Sequence, residues 1–510
     1  MADTDTLSQC LRLHPDDSVL VATAALKPGT QLDAYGVRVQ DFVPSGHKLA
    51  ARGIAEGEAV RKFGQIIGVA TQAIAPGSHV HSHNLAMGSH VDGYEIGTEA
   101  RALPPLADIP TFMGIRRPDG RVATRNYVAL CATVNCSATV VHRIADALNR
   151  SGELEAYPNI DGVVAFAHGT GCGMAGTGEG ADALERVLIG HATHPNVAAA
   201  IFVGLGCEMM QVARLAGKHG VRDVGRLHNL TIQDTGGTRR TIEQALAHIR
   251  AMLPDLNQVQ REPIPAGELA LALQCGGSDG YSGITANPAL GHAADLLVRC
   301  GGTAVLAETP EIYGAEHLLV RRAVARDVGE KLLERIAWWR DYTARNGAEM
   351  DNNPSPGNKA GGLTTILEKS LGAAAKGGSS PLVDVLAYAA PINARGFVFM
   401  DSPGYDPVSV TGQIATGCQL VAFTTGRGSA FGSKPAPTLK LSTNSATYER
   451  MDEDMDINCG DVVDQGVSIE AKGGEIFNAL LELASGKKSK SEAQGLGDHE
   501  FIPWQIGAVL

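Results

Sequence analysis

The sequence lacks three things at once: a surplus of positive charge, a long apolar run and paired cysteines. Its 43 Lys and Arg face 55 Asp and Glu, a formal net charge of −12 over 510 residues. Proteins that grip the phosphate backbone of nucleic acids need clustered cations, so no nucleic-acid partner is expected. A local cationic pocket for a carboxylate remains compatible with that balance. No stretch approaches about 18 uninterrupted apolar residues, so no membrane-spanning helix is expected. The N-terminus, MADTDTLSQCLRLHPDD, has neither the basic segment nor the apolar core of a secretory signal. A reducing, cytoplasmic setting with free thiols follows as the expectation. There is no CxxC pair, which excludes a zinc ribbon or a thioredoxin motif. There is also no GxxxxGK(S/T) phosphate loop and no internal repeat.

What the chain does have is glycine and thiol. Glycine numbers 61, about 12% of the chain, and the nine cysteines are scattered and odd in number. Hydrophobic content of 44% with 19% charged residues describes a globular protein. The length suggests roughly three domains, enough to bury conventional cores without disulfides.

The hydrophobic pattern divides accordingly. Residues 1–95 read as an all-β module: SVLVATAAL, DAYGVRVQDF, HKLAARGI and GQIIGVATQAI alternate or are β-branched, with turns at PGT, PSG, EGE and APGS. Residues 96–112 read as a linker. Residues 113–255 alternate strand and helix, beginning with the strand NYVALCATV and the helix SATVVHRIADALNR. Residues 265–510 restart the alternation at ELALALQ, and the tail SGKKSKSEAQGLGDHE reads as exposed. The predicted fold class is α/β: a small N-terminal all-β domain, then two α/β domains with largely parallel sheets.

Four cysteines fall at the carboxyl ends of predicted strands: Cys136 in TVNC, Cys172 in HGTGCG, Cys207 in GLGCE and Cys275 in QCGGSD. Open α/β sheets bind ligands outside those ends, and thiolates suit iron, zinc or an iron–sulfur cluster. Gly171–Gly176 also matches GxGxxG, but no acidic residue closes the next strand as a dinucleotide site requires. His79, His81 and His83 in GSHVHSHN share one face of a strand, a geometry suited to a divalent metal. His168 precedes the glycine–cysteine loop as a candidate general base. Glu208, Asp279, Glu308 and Glu311 follow strands as candidate acid–base groups. The His47–Lys48 pair, with Asn358, Lys359 and Arg427 in glycine-rich loops, suits a small anionic substrate.

RPDGRVATRN, TVNCSATVV, HGTGCG, GLGCE, QCGGSDGYSGITANPALG, NPSPGNKAGG and FTTGRGSAFG together resemble the galactarate/altronate dehydratase family. The resemblance spans essentially the whole chain, and HVHSHN leans toward the altronate branch. Two positions depart from the pattern: Ala123 stands for a glycine, and Thr170 for a common tyrosine. The resemblance implies a SAF, β-clip-like first domain and dehydration of a sugar acid to a 2-keto-3-deoxy acid. It also implies dependence on iron (Fe2+ or an iron–sulfur cluster) or another divalent metal such as Mn2+.

On this reading Cys136, Cys172, Cys207 and Cys275, with His81 and His83, hold the metal. His168, Glu208, Asp279 and Glu311 move protons, and His47, Lys48, Asn358, Lys359 and Arg427 bind substrate. The expected partners are a small sugar acid and further copies of the chain, as a homo-oligomer. Two alternatives stay open: a sulfo-lyase acting on sulfolactate, whose parts lie on separate chains in the related branch, and a non-catalytic sugar-acid-binding protein.

Overall fold

A computed structural model describes residues 9–88, 93–219 and 226–507; the first residues of the N-terminal segment lie outside them. The first domain is all-β. Strands Cys10–Leu11, Val19–Ala22, Lys48–Ala50 and His79–Val80 form one antiparallel sheet. Ala59–Lys62, Gln65–Ala70 and Leu85–Ala86 form a second. The strands are short because turn residues interrupt them every few positions; Gly36, for example, takes φ 64° in a tight turn.

The second domain holds four parallel strands in the order Gly162–Phe166, Tyr127–Ala132, Val197–Gly204, Leu227–Thr231. Helices Ala138–Asn149, Glu179–Ala192 and Thr238–Leu256 accompany them. Every residue of Val197–Gly204 is buried, as a strand covered on both faces requires.

The third domain carries a seven-stranded parallel sheet. Its order is Leu382–Leu386, Gly396–Met400, Thr303–Leu306, Ala270–Cys275, Leu420–Thr425, Thr438–Ser442, Ile457–Asn458. The long charged run after Ala315 is two helices, Glu316–Val320 and Arg326–Arg345. Among the described residues no helix is long and apolar enough to cross a membrane.

Two segments behave differently from their sequence pattern. The expected linker runs along the third domain, where Gly97 and Glu99 donate backbone hydrogen bonds to Val320 and Arg321. It ends in the strand Thr111–Arg116, which pairs antiparallel with Arg261–Pro265. The polar tail is docked, not free. Its Glu492 meets the buried guanidinium of Arg125 at 2.7 and 2.8 Å, a bidentate pair that a buried cation needs.

Candidate active site

At the carboxyl ends of the seven-stranded sheet, the first and third domains enclose a cavity of about 480 Å3. The loops after Cys275, Thr425 and Ser442 supply Asp279, Arg427 and Asn444 to its wall, and the β domain supplies Ser45 and His47. Asp279 is buried. Its Oδ1 accepts from Thr443 Oγ1 (2.9 Å), Ser282 Oγ (3.1 Å) and the Tyr281 amide (3.1 Å), and its Oδ2 from Asn444 Nδ2 (3.0 Å). Burial raises its pKa from the ordinary aspartate value against the pull of those hydrogen bonds. Arg427 is exposed on the same wall.

His47 closes the cavity from the other side. Its Nε2 donates to the Ala360 carbonyl (3.3 Å), so in the neutral ring Nδ1 accepts from His79 Nε2 (3.0 Å). Burial lowers the His47 pKa to about 4 and that of His79 to about 3. The His81 ring stacks on His47 at 5.2 Å, and its Nε2 donates to the Lys359 carbonyl at 2.9 Å. The strand ends at Val80, however, and His83 is exposed in the following turn, 5.6 Å from the His79 ring.

Asn358 is buried and donates to the Ser278 carbonyl at 2.9 Å, anchoring the loop that bears Lys359. Lys48 is fully buried and points elsewhere. Its ammonium donates to the Gly362 carbonyl (2.6 Å) and to Glu368 Oε2 (2.8 Å), while Lys62 reaches Glu368 Oε1 (3.0 Å). Two β-domain lysines thus share one carboxylate of the third domain.

Behind the cavity lies a second, deeper constellation. Ligand atoms of Cys275, Glu308 and Glu311 lie within 4.8 Å of one another, all three buried. Lys376 Nζ donates to Cys275 Sγ at 2.8 Å, and Lys369 Nζ to Glu311 Oε1 at 2.6 Å and Asn353 Oδ1 at 2.9 Å. Glu308 adopts φ 72°, unusual for a residue with a side chain; among the described residues neither of its buried carboxylate oxygens accepts a hydrogen bond, and Lys376 Nζ stands 3.9 Å from Oε2.

Burial and the neighbouring Glu311 push the Glu308 pKa well above the carboxylate range. Burial would raise Glu311 as well, but Lys369 and Lys376 outweigh it and lower that group. Burial raises the Cys275 thiol to about 11, and burial with Glu311 nearby raises Asp406 to about 6. A buried carboxylate with no donor and an acidic neighbourhood fits a bound divalent cation. Asp279 lies four residues beyond Cys275, and with Lys369 it lines a narrow void between the two sites.

The remaining candidates stand at the carboxyl edge of the central sheet. Cys136, Cys172 and Cys207 are exposed there, in loops tied together by hydrogen bonds from Asn135 to Thr170 and from Met210 to Gly171. Glu208 is buried, accepting from Thr133 Oγ1 (3.0 Å) and the Gly206 amide (2.6 Å). His168 is buried too; Nε2 donates to the Ala132 carbonyl (3.0 Å), and Nδ1 accepts from the Thr170 amide (3.3 Å). Burial lowers its pKa to about 4.

The candidates therefore divide between two sheet edges. Asp279, Arg427 and His47 meet at the cavity, Cys275 and Glu311 meet behind it, and His168, Glu208 and three cysteines occupy the central domain. The other five cysteines are buried. Lys369, Lys376, Asn353 and Asp406 escaped the sequence reading. One signal was present: two lysines seven apart, one inside the helix Ile366–Ala375 and one at its end, with SLGAAA between them.

Comparisons with known proteins follow these divisions. Residues 8–88 match the altronate/galactarate dehydratase SAF domain, 114–257 the D-galactarate dehydratase/altronate hydrolase second domain, and 266–509 the D-galactarate/altronate dehydratase C-terminal domain. The chain is 36% identical to altronate dehydratase of Escherichia coli over 98% of its own length and 100% of that protein. It is 35% identical to altronate dehydratase of Bacillus subtilis (94% and 95% covered). It is 38% identical to the L-threo-forming galactarate dehydratase of E. coli (94% and 93% covered). Fold and matches together define an enzyme, a carbon–oxygen lyase of the hydro-lyase class. The chain belongs to the D-galactarate/altronate dehydratase family.

Proposed function

We propose that this chain dehydrates a six-carbon sugar acid to a 2-keto-3-deoxy acid by metal-assisted β-elimination. An altronate-like aldonate is the first substrate to test and a galactarate-like aldarate the second. The observation that carries the reading is the cavity itself, where a buried carboxylate and an exposed guanidinium face one space of about 480 Å3, enough for such a ligand.

The chemistry has two difficulties. A proton α to a carboxylate is weakly acidic, and hydroxide is a poor leaving group. Arg427 pairs with the substrate carboxylate and so fixes which carbon faces Asp279. Asp279 Oδ2, which accepts from Asn444 alone among the described residues, takes the C2 proton. Its raised pKa brings it nearer the strength a general base needs. A divalent metal, when bound, stabilises charge on the carboxylate and polarises the departing C3 hydroxyl. The C2 proton and C3 hydroxyl leave as water, and the resulting enol tautomerises to the 2-keto-3-deoxy acid. His47 and Ser45 close the space against bulk water from the β domain.

The test is an assay of altronate, galactarate and related acids, with Fe2+ or Mn2+ supplied anaerobically, for a 2-keto-3-deoxy product. Turnover of one acid fixes the substrate. Sulfite release from sulfolactate, or binding without product, overturns the reading.

A further inference from the structure

We infer that Cys275, Glu308 and Glu311 form the seat of one divalent cation, with Lys369 and Lys376 as its charge-balancing neighbours. The inference rests on the dehydratase reading and names its metal site. It separates that site from Cys136, Cys172 and Cys207.

Three independent observations meet at this point. The ligand atoms of the three residues are mutually within 4.8 Å, the spacing of donors around one ion. Both oxygens of Glu308 are buried and accept no hydrogen bond among the described residues; the Lys376 ammonium stands off at 3.9 Å, so the carboxylate is desolvated with its lone pairs unused. The backbone there is left-handed and held by the Ser402 hydroxyl, which accepts from the Glu308 amide at 3.0 Å. That strain aims the side chain at Cys275 instead of solvent.

Charge points the same way. Four acidic groups gather here, because the Asp406 carboxylate packs over Gly276, where a Cβ would lie 2.1 Å from Oδ2. Two ammonium groups face them, Lys369 on Glu311 and Lys376 on Cys275. With all four acids ionised, the two ammonium groups leave two negative charges over, which one divalent cation would balance.

The donor set selects among cations. One thiolate with two carboxylates favours Fe2+, Mn2+ or Co2+ over ions that take oxygen alone. Three protein ligands leave positions open for substrate oxygens. An iron–sulfur cluster needs several thiolates around it, and Cys275 has carboxylates and lysines as neighbours instead. The three exposed cysteines at the central sheet are the rival seat.

The experiment uses the full-length chain, stripped of metal and titrated anaerobically with Co2+. One Co2+ per chain is expected, with a near-ultraviolet thiolate-to-cobalt charge-transfer band. Cys275→Ser removes that band. Glu308→Gln, which breaks no hydrogen bond and gives up only the 3.9 Å ion pair with Lys376, reads out the site even if Cys275→Ser misfolds and weakens binding by about tenfold or more. Joint replacement of Cys136, Cys172 and Cys207 by serine keeps both band and stoichiometry.

A band that survives Cys275→Ser or is lost in the triple variant overturns the site. So does wild type that binds no Co2+, or native iron that arrives with acid-labile sulfide. The sugar-acid assay on the same preparations separates the two readings. Turnover with a misplaced band sinks only the site, and the expected band without turnover of any sugar acid sinks only the dehydratase reading.

Discussion

The carboxylate of Asp279 rests on the backbone of Gly426, where a Cβ would lie 2.1 Å from Asp279 Cγ and 2.4 Å from Oδ1. Position 426 is therefore glycine because the proposed base occupies the space of its side chain. Gly426→Ala must push the carboxylate aside while leaving the strand before it intact. A displacement of about 1 Å at a reacting group costs on the order of 100-fold in rate. The expected outcome is that loss in kcat, with a thermal midpoint close to wild type. A variant with wild-type kcat shows that Asp279 does not move the proton.

Glu368 bonds both Lys48 and Lys62, at 2.8 and 3.0 Å, and all three groups are buried. Burial lowers Lys48 to about 8, and the two ammonium groups hold Glu368 near 2 despite its burial. Glu368→Gln leaves two positive charges facing each other between the first and third domains. Breaking one partner from such a group costs about 3–5 kcal/mol. Denaturant unfolding should show that loss, and a change below about 1 kcal/mol would mean that water reaches the triad.

The parallel strands were legible because strands covered on both faces must be nearly all apolar, as VAAAIFVG and LALALQ are. Asp279, Arg427 and Cys275 were legible because they follow such strands. Lys369 and Lys376 were not, since a buried ammonium is meaningful only through its partners. Those partners, Glu311 and Cys275, are 58 and 101 residues away. The strand Thr111–Arg116 escaped for the same reason, its partner Arg261–Pro265 lying beyond a whole domain. Spacing put three histidines on one strand face. Asn84 Oδ1, accepting from the His81 amide at 2.9 Å, instead turns the chain after Val80.

Arg427 is exposed on the cavity wall, and its backbone amide donates to the Gly277 carbonyl at 3.0 Å. The loop is thus fixed by its backbone, and among the described residues nothing pairs with the guanidinium, which leaves it to the substrate. Arg427→Ala should raise KM by about 10- to 100-fold, the worth of a charged hydrogen-bonded pair, with kcat changed far less. Lysine there should recover only part of the loss, because it cannot pair in a bidentate manner. An unchanged KM would place the substrate carboxylate elsewhere.

His194 is buried in the central domain, with both ring nitrogens engaged in the neutral form: Nε2 donates to the Cys418 carbonyl (3.0 Å), and Nδ1 accepts from the Asn196 amide (3.0 Å). Burial, with His191 nearby, lowers its pKa from 6.5 to about 3. Between those values the unfolded chain holds a proton that the folded chain refuses. Its contribution is fully present above pH about 6.5 and drains away as pH falls toward the folded value, by up to about 1.4 kcal/mol per pH unit. A His194→Gln variant starts less stable but has nothing to lose in that window. The stability gap between wild type and variant should therefore narrow steadily from pH 7 to pH 4, read by denaturant melts at each pH. A gap that stays constant would mean that protonation at His194 is accommodated by the fold, and the buried, neutral state assigned to this ring would be wrong.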